Sequence, residues 1–129
     1  MTFQLNQCNI IGFIPIVDVD RARAFYRDTL GLRHVADELP YALVFESNGI
    51  MIRLAVVKER PNFPGTILGW QVSDALAAVK ALTASGIQFE RFGFMQQEEF
   101  GIWSPTPAHK VAWFKDPDGN LLSVSEHPK

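Results

Sequence analysis

The run Phe114-Lys115-Asp116-Pro117-Asp118-Gly119-Asn120 decides the fold. Its centre is turn chemistry: Pro117 presets the backbone and Gly119 permits a positive φ, so the flanking segments can come back alongside each other. Lys110 to Lys115 before it and Leu121 to Ser125 after it both read as strands, which makes the whole a hairpin. Two carboxylates and Asn120 give the turn a superficial likeness to a calcium loop. An EF-hand loop needs alternating oxygen ligands and a distal glutamate, and neither spacing is present.

Working outward, the same pattern occurs in the first half of the chain. Asn48-Gly49-Ile50-Met51-Ile52-Arg53-Leu54 aligns with Asp118-Gly119-Asn120-Leu121-Leu122-Ser123-Val124 at constant spacing. Tyr41 to Glu46 and Ile50 to Val57 read as strands around the Ser47-Asn48-Gly49 turn. Further upstream, Asn9 to Val17 is a β-branched and aromatic strand, with Pro15 placing it near an edge or a strand end. Asp18 or Asp20 then caps a helix whose Ala22, Phe25, Tyr26 and Thr29 recur at helical spacing, and Gly31 stops it. In the second half Ile67 to Val72 is the matching strand and Asp74 the matching cap. Ala75, Ala78, Val79 and Leu82 line the helix, Gly86 ends it, and Ile87 to Phe92 reads as a strand.

Ile16-Val17-Asp18 corresponds to Val72-Ser73-Asp74, and Gly31 to Gly86 with one residue fewer. A tandem repeat of β-α-β-β-β units in an α+β fold follows. The alternative is one irregular α+β domain whose halves are alike by chance. The 129 residues suit a single domain, with module one at about 8–57, a Pro- and Gly-bearing connector at 58–65, and module two at about 66–126.

Composition limits the function classes. Twelve Lys and Arg face fourteen Asp and Glu, a net charge of −2, with no basic stripe to neutralise phosphates, so nucleic acid is not an expected partner. No run approaches the ~20 apolar residues of a membrane helix. Met1-Thr2-Phe3-Gln4-Leu5 lacks a basic segment followed by an apolar one, so a cytoplasmic location is expected. The single Cys8 can form no internal disulfide and is read as a small buried hydrophobe, with a reactive thiol as the alternative.

At this point the chain resembles the vicinal oxygen chelate superfamily of glyoxalases, extradiol dioxygenases and bleomycin-resistance proteins. The resemblance runs from Ile10 to Ser125. It is carried by Val17-Asp18-Val19-Asp20-Arg21-Ala22-Arg23-Ala24-Phe25-Tyr26, by Leu30-Gly31-Leu32, and most specifically by Phe114 to Asn120. It implies that each module curls its sheet around a cleft with helices outside. It also implies a homodimer, because members often complete their clefts from two chains. In metal-bearing members the ion is held from the first and last strand of each module; carried over by motif, those positions are Ile11, Arg53, Ile67 and Ser123. Ile offers no donor atom, guanidinium stays cationic and a lone neutral Ser is a weak ligand, so no metal and no other cofactor is expected.

Strand alternation tests that assignment independently. One side of the strands carries Ile11, Phe13, Pro15, Met51, Arg53, Ile67, Gly69, Gln71, Leu121, Ser123 and Ser125. The other carries Ile14, Ile16, Ile52, Leu54, Trp70, Val72, Leu122 and Val124, all apolar. The apolar side suits a core beneath helices, which leaves the mixed side for a ligand cleft. Candidate ligand-binding residues are therefore Arg53, Phe13, Met51, Gln71 and Ser123 on the strands, with Tyr41, Trp103, Trp113 and His109 around the rim. Arg53 needs a partner, either an anionic group on a ligand or an internal carboxylate such as Glu46, unless its head group reaches solvent past its own stem. Phe94 and Phe100 join the aromatic set, and the long Gly93 to His109 segment borders the cleft as a cover. His34, His127 and the Glu98-Glu99 pair are read as solvated or structural.

Three functions fit. The first is a metal-independent binder of an aromatic or anionic small molecule, sequestering it without chemistry. The second is a glyoxalase- or dioxygenase-like enzyme using a metal held by unrecognised ligands. The third is a metal-free enzyme in which Glu98, Glu99 or His109 moves a proton. No catalytic residue is assigned.

Overall fold

The computed structural model describes residues 2–128. The first half runs β1 (Ile11–Ile16), α1 (Val19–Ala24), β2 (Arg33–Glu38), β3 (Ala42–Ser47) and β4 (Ile50–Val56). The second runs β5 (Leu68–Gln71), α2 (Ala75–Ala84), β6 (Trp103–Thr106), β7 (His109–Lys115) and β8 (Leu121–Glu126). Each half forms one open four-stranded sheet, ordered β1-β4-β3-β2 and β5-β8-β7-β6. β1 lies parallel to β4 and β5 parallel to β8, while the other neighbours are antiparallel. Two βαβββ modules with mixed sheets result, as the repeat predicts.

The repeat holds down to the pairing register. Gly12 faces Ile52, Phe13 faces Arg53 and Ile14 faces Leu54; in the second half Leu68 faces Leu122, Gly69 faces Ser123 and Trp70 faces Val124. Turn chemistry fixes this register. Asn48 and Gly49 both take positive φ, the combination a two-residue hairpin turn requires, and Gly119 does the same in the second hairpin. Both helix caps form as read: the Asp18 carboxylate accepts from the Arg21 amide and the Asp74 carboxylate from the Ala77 amide. Helix α1 then widens into a π-helical turn over Phe25–Thr29, which places Tyr26 wholly inside.

The side of the strands read as core is the core. Ile14, Ile16, Ile52, Leu54, Leu122 and Val124 are buried in one cluster with Leu43, Phe45, Val79 and Phe114. That cluster draws on both modules. Period-two alternation therefore separates the core face of the strands from the opposite face.

Three readings are corrected. Ile87 to Phe92 is not a strand: only Phe89 bridges to Phe114, and the edge place is taken by β6 from inside the segment read as a loop. An apolar run buried against a sheet edge looks like a strand in sequence whether or not it enters the ladder. β2 is absent from the sequence reading because Arg33–Glu38 is a polar edge strand with little apolar alternation. Cys8 is exposed, just past a short 3₁₀ turn at Leu5–Gln7, and its thiol points at the Gln4 carbonyl. It lies outside the strand and gains nothing from the core.

The Asp116–Asn120 turn does more than reverse the chain. The buried Asp116 carboxylate accepts the Tyr26 hydroxyl at 2.7 Å, the amides of Asp118 and Asn120 at 2.9 Å each, and the Asn120 side chain at 2.8 Å. Asn120 also donates to the Pro15 carbonyl at 2.7 Å, so the turn of module two clamps β1 and α1 of module one. Burial, reinforced by Asp116, pushes the Tyr26 phenol well above its ordinary value. The folded chain thus holds this proton more tightly than the unfolded one. The stabilisation is complete below about pH 10, the usual tyrosine value, and is lost as pH rises beyond it. Urea midpoints should fall more steeply above about pH 10 for this protein than for Tyr26→Phe; parallel curves would show that the phenol is not a buried donor.

Candidate functional site

On the module-one sheet, Ile11 and Phe13 of β1, Val44 of β3, and Met51 and Arg53 of β4 share one face by register. Phe13 is 63% exposed, unusual for a phenylalanine in the middle of a strand. Arg53 is held by Glu38, with Nη2 to Oε1 at 2.6 Å. Glu38 belongs to β2, two strands away, so the pair reaches across β3 above the small Ala42 and Val44, which are buried. Glu46, the internal partner suggested by sequence, instead takes Arg33 at 3.3 Å. The register explains it: Glu46 faces Met51 and Arg33, while Glu38 stands beside Ala42, one diagonal step from the Val44 that faces Arg53.

On the module-two sheet the corresponding face is aromatic. Trp103 of β6 and Trp113 of β7 stand on neighbouring strands with ring centroids 6.0 Å apart and planes 34° from parallel. Phe92 meets Trp113 edge-on at 5.6 Å, and the Trp113 indole donates to the Thr66 hydroxyl at 2.9 Å, which fixes its ring. Since both indoles rise from one sheet face, they make a floor for a planar molecule and not a pair of jaws. Ser123 lies opposite Trp113 and leans over Gly69, where a Cβ would come within 2.5 Å of its hydroxyl oxygen. It is 7% exposed and offers a ligand little. Further along, His109 is hydrogen-bonded to Thr106 at 2.6 Å, and its ring meets that of His127 edge-on.

Beside this floor is an open cavity of about 900 Å³ formed by the segment from Arg91 to Ser104. The segment lacks regular structure up to β6, yet it is stitched together. The Gln97 side chain accepts from the Phe92 amide at 2.8 Å and donates to the carbonyls of Glu90 and Gly101 at 3.0 and 2.7 Å. A Glu98 carboxylate oxygen accepts the amides of Phe100 and Ile102 at 2.6 and 2.9 Å, and Arg91 donates to the carbonyls of Gln97 and Glu98. Glu98 is therefore an internal cap of the loop, not the idle solvated charge read from sequence. The role of Phe92 and Gln97 was missed, because neither a glutamine nor a phenylalanine in a loop has a spacing signature.

The candidate residues do not converge on one cavity within a single chain. Trp103 borders the large cavity, Met51 lines a separate one of about 350 Å³ with Ile11 and Val35, and Gln71 a third near the chain end. Tyr41 stands at the β2–β3 turn, 76% exposed, and no aromatic contact joins it or Phe13 to the tryptophan pair. His34 is placed elsewhere, stacked on Phe45 in the core and bound to Asp37 at 2.6 Å.

The four positions at which the resemblance would place metal ligands occupy equivalent registers in the two modules, and their chemistry does not suit a divalent ion. Ile11 and Ile67 have no donor, Ser123 is turned onto Gly69, and Arg53 brings a cation already engaged by Glu38. Among the described residues, no three His, Cys, Asp or Glu side chains gather closely enough to bind one elsewhere.

Comparison with known proteins agrees with this architecture. A lactoylglutathione lyase from Agrobacterium tumefaciens superposes with TM-score 0.69 at 20% identity, covering 93% of both chains. A glyoxalase/bleomycin resistance protein/dioxygenase from Alicyclobacillus acidocaldarius gives 0.65 at 21%, covering 94% of this chain and 92% of the other. An antibiotic-binding protein from Streptomyces sp. CB03234 gives 0.63 at 24%, covering 94% and 95%. At such identities these likenesses speak for the fold alone. No curated protein matches the sequence. The family model that describes the Glyoxalase/Bleomycin resistance protein/Dioxygenase superfamily matches residues 4–124, and the chain belongs to that superfamily.

Proposed function

We propose that this protein is a metal-independent binder of a flat aromatic small molecule, acting in the cytoplasm as a homodimer that sequesters its ligand without transforming it. The observation that carries the reading is the Trp103–Trp113 floor, fixed by Phe92 and Thr66, whose Trp103 end borders a cavity of about 900 Å³. That volume falls within the range of small-molecule sites. The antibiotic-binding relative is consistent with it, although the same fold also serves a lyase.

Arg53 sharpens the choice between an anionic and a neutral ligand. With Glu38 at 2.6 Å its charge is already matched, so an incoming carboxylate would have to displace an internal one. The cleft therefore favours an uncharged aromatic ligand, with Arg53–Glu38 as a structural strut. For a neutral anthraquinone probe, Arg53→Ala should change the dissociation constant by less than about threefold, and Glu38→Gln should improve binding of an anthraquinone carboxylate. Loss of neutral-probe binding in Arg53→Ala would assign Arg53 to the ligand after all.

Ile11, Phe13, Val35 and Met51 are all exposed on module one. A second copy placing this face against the aromatic face of module two would bury them and close the cleft. Sedimentation should give a dimer at micromolar concentration, and a monomer there would remove this part of the reading. The enzymatic alternatives have less support: Glu98 is occupied by two backbone amides, and the four metal positions hold the wrong donors.

A further inference from the structure

Away from the cleft, on the core side of the two sheets, lies a further crevice of about 310 Å³. Its walls come from both modules: Leu30 and Leu32 after α1 and Ser47 at the end of β3, against Trp70 of β5 and Ala78 and Ala81 of α2. The space exists because α2 presents two alanines, one turn apart, where larger side chains would fill the groove. The crevice opens to solvent, with Ala81 on its wall exposed, so a ligand enters from the surface without any opening of the core. Water in it would find few partners, since apart from Ser47 and the Trp70 indole N–H every lining side chain is apolar.

The polar edge is specific. The Trp70 indole donates to the Ser47 hydroxyl oxygen at 3.0 Å, which leaves the Ser47 hydroxyl hydrogen without an acceptor among the described residues. One donor at the end of an apolar slot, with no charged group in the lining, selects a definite ligand chemistry. We infer that this crevice is a second binding site, for a small neutral molecule with an apolar body and a single carbonyl, ether or hydroxyl oxygen that accepts from Ser47. A volume of about 310 Å³ lies at the small end of ligand sites and suits a compact molecule of one or a few rings. A second copy of the chain is a poorer occupant, because stable dimers bury about 800 Å² on each partner and the slot is narrow.

The site is distinct from the cleft and rests on different residues. The same strands serve both: Gly69 and Ser123 face the cleft while Trp70 and Val124, their immediate neighbours, line the crevice from the opposite face.

Trp70 makes the inference directly testable. In a Trp103→Phe/Trp113→Phe variant it is the one remaining tryptophan, and filling the slot separates its signal from any binding left at the weakened cleft floor. Titration with 4-bromoacetophenone, a neutral ring with one carbonyl and a heavy-atom quencher, should quench Trp70 saturably. Ser47→Ala should weaken this by about fivefold, the loss of one hydrogen bond. Filling the slot with Ala78→Leu/Ala81→Leu, helix-favouring changes whose fold is checked by circular dichroism and thermal melting, should weaken it by at least tenfold. Quenching that stays linear with concentration, or that survives filling of the slot in a folded variant, would overturn the proposal. So would dissociation of a dimer by the filled variant, which would mark the crevice as a subunit contact.

Discussion

Asp116→Ala will lower the stability of the folded chain by about 3–5 kcal/mol, the largest effect expected from any single substitution outside the hydrophobic core. The carboxylate is buried and serves four donors, among them the Tyr26 hydroxyl and the Asn120 side chain. Alanine leaves those donors inside the protein without an acceptor, and each buried unsatisfied group costs about 1–3 kcal/mol. Since Asn120 also reaches the Pro15 carbonyl, the loss loosens the contact between modules as well as the turn. Against a total stability of roughly 5–15 kcal/mol for a domain, such a variant is close to unfolding at body temperature. Urea denaturation measures it, and a change below about 1 kcal/mol would show that the network contributes no net stability.

The second large effect concerns the aromatic floor. Trp103→Ala or Trp113→Ala should each weaken binding of a neutral anthraquinone by about 2 kcal/mol, roughly thirtyfold in dissociation constant, as truncation of an aromatic anchor commonly does. The two indoles stand side by side with centroids 6.0 Å apart, so the double variant should lose less than the sum of the two. Trp113→Phe gives the control: it keeps the edge contact available to Phe92 but loses the hydrogen bond to Thr66 and part of the stacking area, and its loss should be intermediate. Equal affinities across the series, with folded proteins, would move the site away from this floor.

Much of the fold was legible because it is written in local signals. Asp18 and Asp74 before apolar helical stripes, Asn48-Gly49, and Pro117 with Gly119 each dictate a cap or a turn from a few adjacent residues. The repeat then supplied the topology, since the same offsets govern the strand pairing in both halves. What failed lacked local signals. β2 is a charged edge strand, and β6 carries Pro105, so neither shows the alternation that a half-buried strand should. Ile87 to Phe92 shows the apolar character but lacks the ladder partners.

Within the site, residue types were legible and partnerships were not. An arginine between Met51 and Leu54 on a strand announces the need for a counter-charge, yet Glu38 became the partner only through the register of three strands. Asp116 was readable as a turn residue, whereas its bond to Tyr26 spans 90 positions in sequence. The tryptophans were visible as a rim, but their placement side by side on one sheet face, and the loop stitched by Gln97 behind them, depend on tertiary packing.

The proposed function requires the cleft to bind an aromatic molecule through its indoles and without a metal. The most direct measurement is calorimetric titration of a neutral anthraquinone into chelator-treated protein, repeated with zinc, nickel, manganese or iron(II) added in slight excess. Saturable binding with the same affinity in every case, and no tight stoichiometric uptake of metal, is the predicted result. Stoichiometric metal in the cleft, with ligand binding that appears only once it is present, would contradict the account at its centre.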